Sequence, residues 1–241
     1  MNRARAFAAM LLISLAGGSA RAELCPAPPD APAVGPLDAQ ARLDYLAHTF
    51  DREVRDTDIW SWSWGSVYTA GAAAQGVGVA LSHDHGTRID LTVGWISTGV
   101  GALTLLGLPL QLTLPLRAAR GHWSDPDRCA TLLHAEQVLA KVESDQALAT
   151  GIFAHIGNVA VNVGIALILG LGYGRWPSAA ISGGVGIAIG ELNTFTQPHH
   201  LREALERYRA GQLEAPAPAL AWTVVPLVAP KTGGAALALA W

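Results

Sequence analysis

Two sets of residues in this chain have the types and spacing to do chemistry. In the first, His155, Asn158 and Asn162 are spaced i, i+3 and i+7, which puts them on one face of a helix. Glu191, Asn193 and Thr194 follow on the next apolar stretch. If the two stretches form an antiparallel hairpin about Tyr173 and Gly174, Asn158 and Glu191 fall at equal distance from the turn. His155 then sits about one helical turn further out, level with Asn193 or Thr194. The expected polar cluster is therefore His155, Asn158, Asn162, Glu191 and Asn193. Ionisable groups are costly in lipid and usually carry a task there, so proton or ligand handling is one reading. An interhelical hydrogen-bond clamp, worth roughly 0.6–2 kcal/mol per contact, is the favoured one.

The second set is His83, Asp84, His85 and Asp90. Two imidazoles and two carboxylates suit a divalent metal. A short turn between apolar helices needs such residues for solubility alone, and no metal ligand set is assigned. His199 and His200 offer less. The chain has no metalloprotease helix motif, no phosphate-binding glycine loop and no serine nucleophile elbow. Neither catalytic residues nor a cofactor are therefore expected, and the chain leans away from being an enzyme.

Targeting and composition set the surroundings of these residues. Arg3 and Arg5, the apolar run Ala6–Ala16 and Ala20-Arg21-Ala22 read as a secretory signal peptide over 1–22, with the mature chain starting at Glu23. Cys25 lacks the small preceding residue that lipid attachment wants. Cys25 and Cys129 are the only cysteines. In an oxidising compartment they are expected to pair, with separate thiols as the alternative. Hydrophobic residues make up 51% and charged residues 15%, with 26 Gly besides. So apolar a chain needs a large core or a membrane face. A formal net charge of −3 gives no basic field for nucleic acid.

Along the mature chain, 23–36 is a proline-rich leader. From Leu37 to about Asp58, Leu43, Leu46, Phe50 and Val54 recur at helical spacing. Trp60, Trp62, Trp64 and Tyr68 follow, suiting either a membrane–water interface or an aromatic core patch. Four apolar segments come next, at about 64–81, 91–116, 152–171 and 178–195, with short turns inside each pair. The third is the strongest candidate span. Gly170 to Gly174 reads as a flexible helix end.

The two pairs read as copies offset by about 87–89 residues. Asp58, Tyr68, Gly71, Gln75, Gly99, Leu105 and Pro109 align with Asp145, His155, Asn158, Asn162, Gly186, Leu192 and Pro198. Leu132 to Leu148 supplies the amphipathic helix of the second copy. Small residues at Ser178, Ser182, Gly186 and Gly190, and at Ala72, Gly76 and Ala80, suit close helix packing. Leu201 to Ala210 is a charged amphipathic helix. Alternation around Leu237, Leu239 and Trp241 predicts a strand, hairpinned through Lys231 to Gly234 with Trp222 to Val228. A terminal aromatic on such a strand resembles bacterial outer-membrane barrel proteins, although one hairpin cannot close a barrel.

The expected fold is an all-α membrane protein: two repeated helical hairpins (37–116 and 117–198) with amphipathic flanking helices and a short C-terminal β-hairpin in the tail 199–241. Four spans keep both cysteines outside but place Arg117, Arg120, Arg128 and Lys141 outside too, against the positive-inside rule. If the first segment does not span, the rule is met and the cysteines fall on opposite sides. A third arrangement is an envelope bundle that never crosses. The expected role is a structural or interaction protein of the bacterial envelope. Its partners are the lipid bilayer and either another copy of itself or an envelope protein, and no nucleic acid. The inner membrane is favoured over outer-membrane or periplasmic association. A small transporter or channel component with a polar site around Glu191 is the alternative, and a membrane enzyme using His155 and Glu191 ranks third.

Overall fold

The computed structural model describes residues 23–214, excepting the side chains at 106 and 108–110, and the backbone of two strands beyond them. The expected signal peptide lies outside these residues. The chain is mostly helical. Helix α1 spans Ala39–Leu81, 43 residues, or about 65 Å at 1.5 Å per residue. The expected amphipathic helix and first apolar segment are thus one element, because no Gly or Pro interrupts the chain from Gln40 to Trp64. Helix α2, His85–Gly121, runs through Pro109 and Pro115. Helix α3 covers Arg128–Thr150. Extended backbone at Gly151 separates it from α4, Ile152–Leu167. Helix α5 is Trp176–Phe195 and α6 is Leu201–Arg209.

Acidic side chains start three of these helices. Asp84 accepts from Thr87 N at 2.7 Å, Asp127 from Ala130 N at 2.9 Å, and Asp38 from Ala41 N at 3.4 Å. Each satisfies an amide that the first helical turn leaves open. The segment read as a flexible helix end continues α4 by a further helical turn. Ile168–Gly172 forms a widened π turn, with Leu169 and Gly170 buried and Gly170 set against Trp176. Gly174 then adopts φ +68°, a left-handed conformation that glycine takes without strain.

Strands β1 (Ala221–Ala229) and β2 (Thr232–Ala240) pair antiparallel, with Trp222 opposite Leu239. Thr232, Gly233 and Gly234, expected in the turn, belong to β2. Thr232 stands opposite Ala229.

One half of the molecule is a packed cap. Leu43, Leu46 and Phe50 of α1, Leu116 of α2, Leu132, Leu139 and Val142 of α3, and Leu201 and Tyr208 of α6 form its core. The leader is built into it and is not a free extended arm. Ala31 and Val34 are buried, and Pro32–Val34 forms a 3-10 turn. Cys25 and Cys129 are joined in a disulfide, tying the leader to the start of α3. Arg42 is fully buried among them. Its guanidinium donates to Cys25 O and Tyr208 OH, each at 3.0 Å, to Pro26 O at 3.3 Å, and to Glu136. Tyr208 OH also donates to Glu136.

The other half consists of two hairpins whose apolar side chains face outward. Phe153 is 73% exposed and Leu171 71%. Ile156, Val161, Ile168, Ile181, Val185 and Leu192 are exposed beside them, as are Val77, Leu81, Ile96 and Leu103 on the first hairpin. The continuous stretch Arg128–Gly172 contains a run long and apolar enough to cross a membrane, and protein covers almost none of it.

Inside each hairpin small residues allow close approach. Gly71 meets Thr98 and Gly76 meets Trp95, while Gly183 meets Ala166 and Gly186 meets Asn162. At the turn end Arg175 bridges the hairpins, pairing with both oxygens of Asp90, and Ser178 Oγ donates to Asp90 at 2.8 Å. At the cap end Trp60 Nε1 donates to Asn193 O at 3.2 Å and Trp64 Nε1 to Thr196 Oγ1 at 2.9 Å. Trp60 and Trp64 are core residues, while Trp62 is 78% exposed. Helical phase thus gives Trp60 and Trp64 the core reading and leaves Trp62 exposed.

The disulfide spans 104 residues of sequence. Closing so long a loop is worth about 4.7 kcal/mol in the chain-entropy account. Reduction is expected to lower the denaturation midpoint substantially and to change mobility on a denaturing gel. Two fully alkylatable thiols in protein purified without reductant would contradict the pairing.

Candidate functional site

Helical phase brings His155, Asn158 and Asn162 of α4 to the face that meets α5. There Gly186 and Gly190 leave room for their side chains. A β-carbon on Gly190 would lie 2.0 Å from Asn158 Oδ1, so only glycine fits while that amide keeps its place. Asn158 Nδ2 donates to Glu191 Oε1 at 2.8 Å and to Ile187 O at 3.0 Å. His155 Nδ1 lies 2.6 Å from Glu191 Oε2. Asn162 Nδ2 donates to Asn158 O at 2.9 Å and Asn158 Oδ1 at 2.8 Å.

Both carboxylate oxygens of Glu191 therefore have a partner. The His155 and Glu191 side chains are 26% and 25% exposed. The His155 ring packs on Phe195, with centroids 5.1 Å apart. His155 pairs with Glu191 and not with Asn193 or Thr194, while its ring also reaches Phe195. Asn193 stands apart. Its carbonyl takes the Trp60 bond, and its Nδ2 is buried without a hydrogen-bond partner among the described residues.

Among the described residues the first hairpin has no such cluster. Gln75 Nε2 donates to Thr98 Oγ1 at 3.3 Å, while Tyr68 packs beside Gly101. Around the turn, Asp84 is spent on the α2 cap, and Asp90 is held by Arg175 and Ser178, which keep its carboxyl below the usual range. Those bonds occupy the carboxylates of the polar turn set His83, Asp84, His85 and Asp90, to which no metal is assigned. Among the described residues one group of metal-ligating atoms converges, Glu23 with Cys25 and Cys129, and both its sulfurs are in the disulfide.

Beside His155 opens a cleft of about 360 Å³, also lined by Glu143, Gln146, Thr150, Thr194, His199 and Arg202. Behind Gln146 lies Glu53, a buried acid outside the expected cluster. The signal for it is present in helical phase: Arg42, Leu46, Phe50, Glu53, Thr57, Trp60 and Trp64 step by three and four residues along one face of α1. All seven are buried. A charged residue on such a face needs a partner across the core. For Arg42 that partner is Glu136, 94 residues further along the chain and invisible to local spacing.

No family model, no curated protein and no solved structure matches the chain.

Asn158→Leu is expected to strand one oxygen of Glu191 and destabilise the hairpin by about 1–3 kcal/mol. Asn158→Leu with Glu191→Leu should cost less than the two single changes added together, by about 0.5 kcal/mol or more. Strict additivity in denaturation experiments would show that the two residues do not act as a pair.

Proposed function

We propose that this chain is an integral membrane protein of a bacterial cell envelope, in the inner membrane, with a structural or interaction role. Both hairpins cross the bilayer and the disulfide-tied cap stands outside. What carries the reading is the uncovered apolar face of all four hairpin helices, with charge, Glu191 apart, confined to their cap and turn ends. In water so much exposed apolar surface would drive aggregation. In lipid it costs nothing, and small-residue packing with polar contacts holds the helices together. The aligned small and polar positions of the two hairpins support an internal repeat.

The disulfide supports an orientation. Cysteine pairing belongs to an oxidising compartment, which favours the cap outside and the turns around Asp84 and Arg175 inside. The basic residues of the cap run against the positive-inside tendency. Several have acidic partners: Arg117 with Asp58, Arg120 with Asp51 and Lys141 with Asp145. A transmembrane flip of one hairpin would separate cysteines that are bonded to each other, so the disulfide favours four spans over that flip.

The His155–Asn158–Glu191 network fits a clamp, because both oxygens of Glu191 are already bonded. A small transporter or channel component is the second reading, favoured by the cleft that reaches His155. Purified protein in proteoliposomes separates the two. Proton and monovalent-cation flux no greater than in empty liposomes is expected. Flux that disappears in Glu191→Gln would overturn the structural role.

A further inference from the structure

Glu53 is 1% exposed, where the cap meets the hairpins. Its Oε1 accepts from Gln146 Nε2 at 2.6 Å and from Thr57 Oγ1 at 3.3 Å. Its Oε2 is buried with no hydrogen-bond partner among the described residues. Neither bonding partner carries a charge. Glu136, the other buried acid in the cap, is held by Arg42 and Tyr208. An ionised carboxylate at Glu53 would instead keep one oxygen unsolvated in a dry site, which is costly. The neutral acid has a much smaller desolvation cost.

Gln146 occupies a pivotal place. Its Nε2 donates both to Glu53 and, at 2.9 Å, to Pro198 O, in the link between α5 and α6. Its side chain also lines the cleft shared with Glu143, His155, His199 and Arg202. One side chain thus separates Glu53 from a cleft that opens at the cap–hairpin junction.

We infer that Glu53 is a proton-binding site, loaded from this cleft past Gln146, whose occupancy sets how firmly the α5–α6 link is held to α3. A hydronium ion in the cleft gives its proton to the carboxylate and leaves as water; loss of the proton is the reverse. With the proton on, Gln146 Nε2 is shared between Glu53 and Pro198. With it off, the carboxylate draws that donor to itself and requires another for Oε2, so the bond to Pro198 weakens and water enters from the cleft.

The surrounding charges are Arg52 and Asp56 on the same helix, Glu143 on α3, His199 and His200 in the link, and Arg202 and Glu203 on α6. Burial dominates them and pushes the Glu53 carboxyl up to about 7, with the Gln146 hydrogen bond opposing it. His200 is shifted the other way, downward, also by burial. An acid whose folded-state value is raised stabilises the fold fully below its unfolded value. That contribution is lost as pH rises through the folded one. The window therefore runs upward from the ordinary glutamate range to about 7.

The test uses the whole protein in detergent or nanodiscs, with infrared spectroscopy and thermal unfolding across this window. The wild type should show a protonated-carboxyl band that titrates away with a midpoint near 7, and its unfolding temperature should fall over the same range. Glu53→Gln, which imitates the neutral acid, should lose both the band and the fall in unfolding temperature. Glu53→Asp should keep a titrating band. Gln146→Leu should retain the band but move its midpoint upward, since the hydrogen bond that opposes the rise is gone. His199→Gln with His200→Gln should leave the band in place. An infrared spectrum identical in wild type and Glu53→Gln would overturn the proposal. So would a pH response that survives Glu53→Gln and vanishes in the double histidine variant.

Discussion

No Asp, Glu, Lys or Arg lies between Asp58 and Asp84, between Asp90 and Arg117, or between Asp145 and Arg175, and Glu191 is the sole one between Arg175 and Arg202. In a helical chain each of the first three gaps is at least about 37 Å of uncharged rise, against a hydrocarbon thickness of about 30 Å, while Glu191 divides the fourth. The gaps open and close at the same two levels of the fold. One level is the cap and the other is the pair of turns at Asp84–Asp90 and Arg175. Everything between has to be held without charge and, on its outer faces, without protein contact. Close helix approach at Gly71, Gly183 and Gly186 is one answer to that constraint. The bridge from Arg175 to Asp90 at the far level is another. Glu191 is tolerable within the gap because His155 and Asn158 occupy both its oxygens.

The cap answers a different problem. Helix α1 belongs to both halves, so its first turns must be fixed for its last ones to be aimed. Arg42 does this by binding the leader through Cys25 O and Pro26 O, α3 through Glu136 and α6 through Tyr208. Burial, followed by the Glu136 hydrogen bond, pushes the Tyr208 phenol up, so it remains a donor to that carboxylate. Removing one partner from a buried pair of this kind costs about 3–5 kcal/mol, because the other charge is left alone. The disulfide acts on the same leader from the opposite side. Glu53 marks the seam between the halves, where a polar group is buried with fewer bonds than it can make.

Much of this was legible in the residues, and what was not has a common physical cause. The apolar runs, the turns at His83–Asp84 and Tyr173–Gly174, and the shared face of His155, Asn158 and Asn162 follow from periodicity over one or two neighbouring elements. The proximity of Asn158 to Glu191 needed one assumption more, the antiparallel hairpin. Joins between adjacent elements were harder. The amphipathic and apolar stretches of α1 fuse because nothing breaks the helix, whereas extended backbone at Gly151 separates α3 from α4. Asn193 was misplaced because counting from a turn fixes a level but not a side. Arg42, Glu136 and Tyr208 were out of reach altogether, since their meeting depends on how three distant helices pack.

The central claim is that the apolar halves of both hairpins cross a bilayer, with cap and turns on opposite sides. Single cysteines at Gln212, exposed beyond α6, and at His85, exposed at the turn, report on it directly. The reagent is a membrane-impermeant maleimide applied to sealed, right-side-out spheroplasts before and after permeabilisation. Labelling of Gln212→Cys in sealed spheroplasts, with His85→Cys labelled only once the membrane is opened, is the predicted result. Equal labelling of both positions in sealed spheroplasts would contradict it, because cap and turns would then share one side.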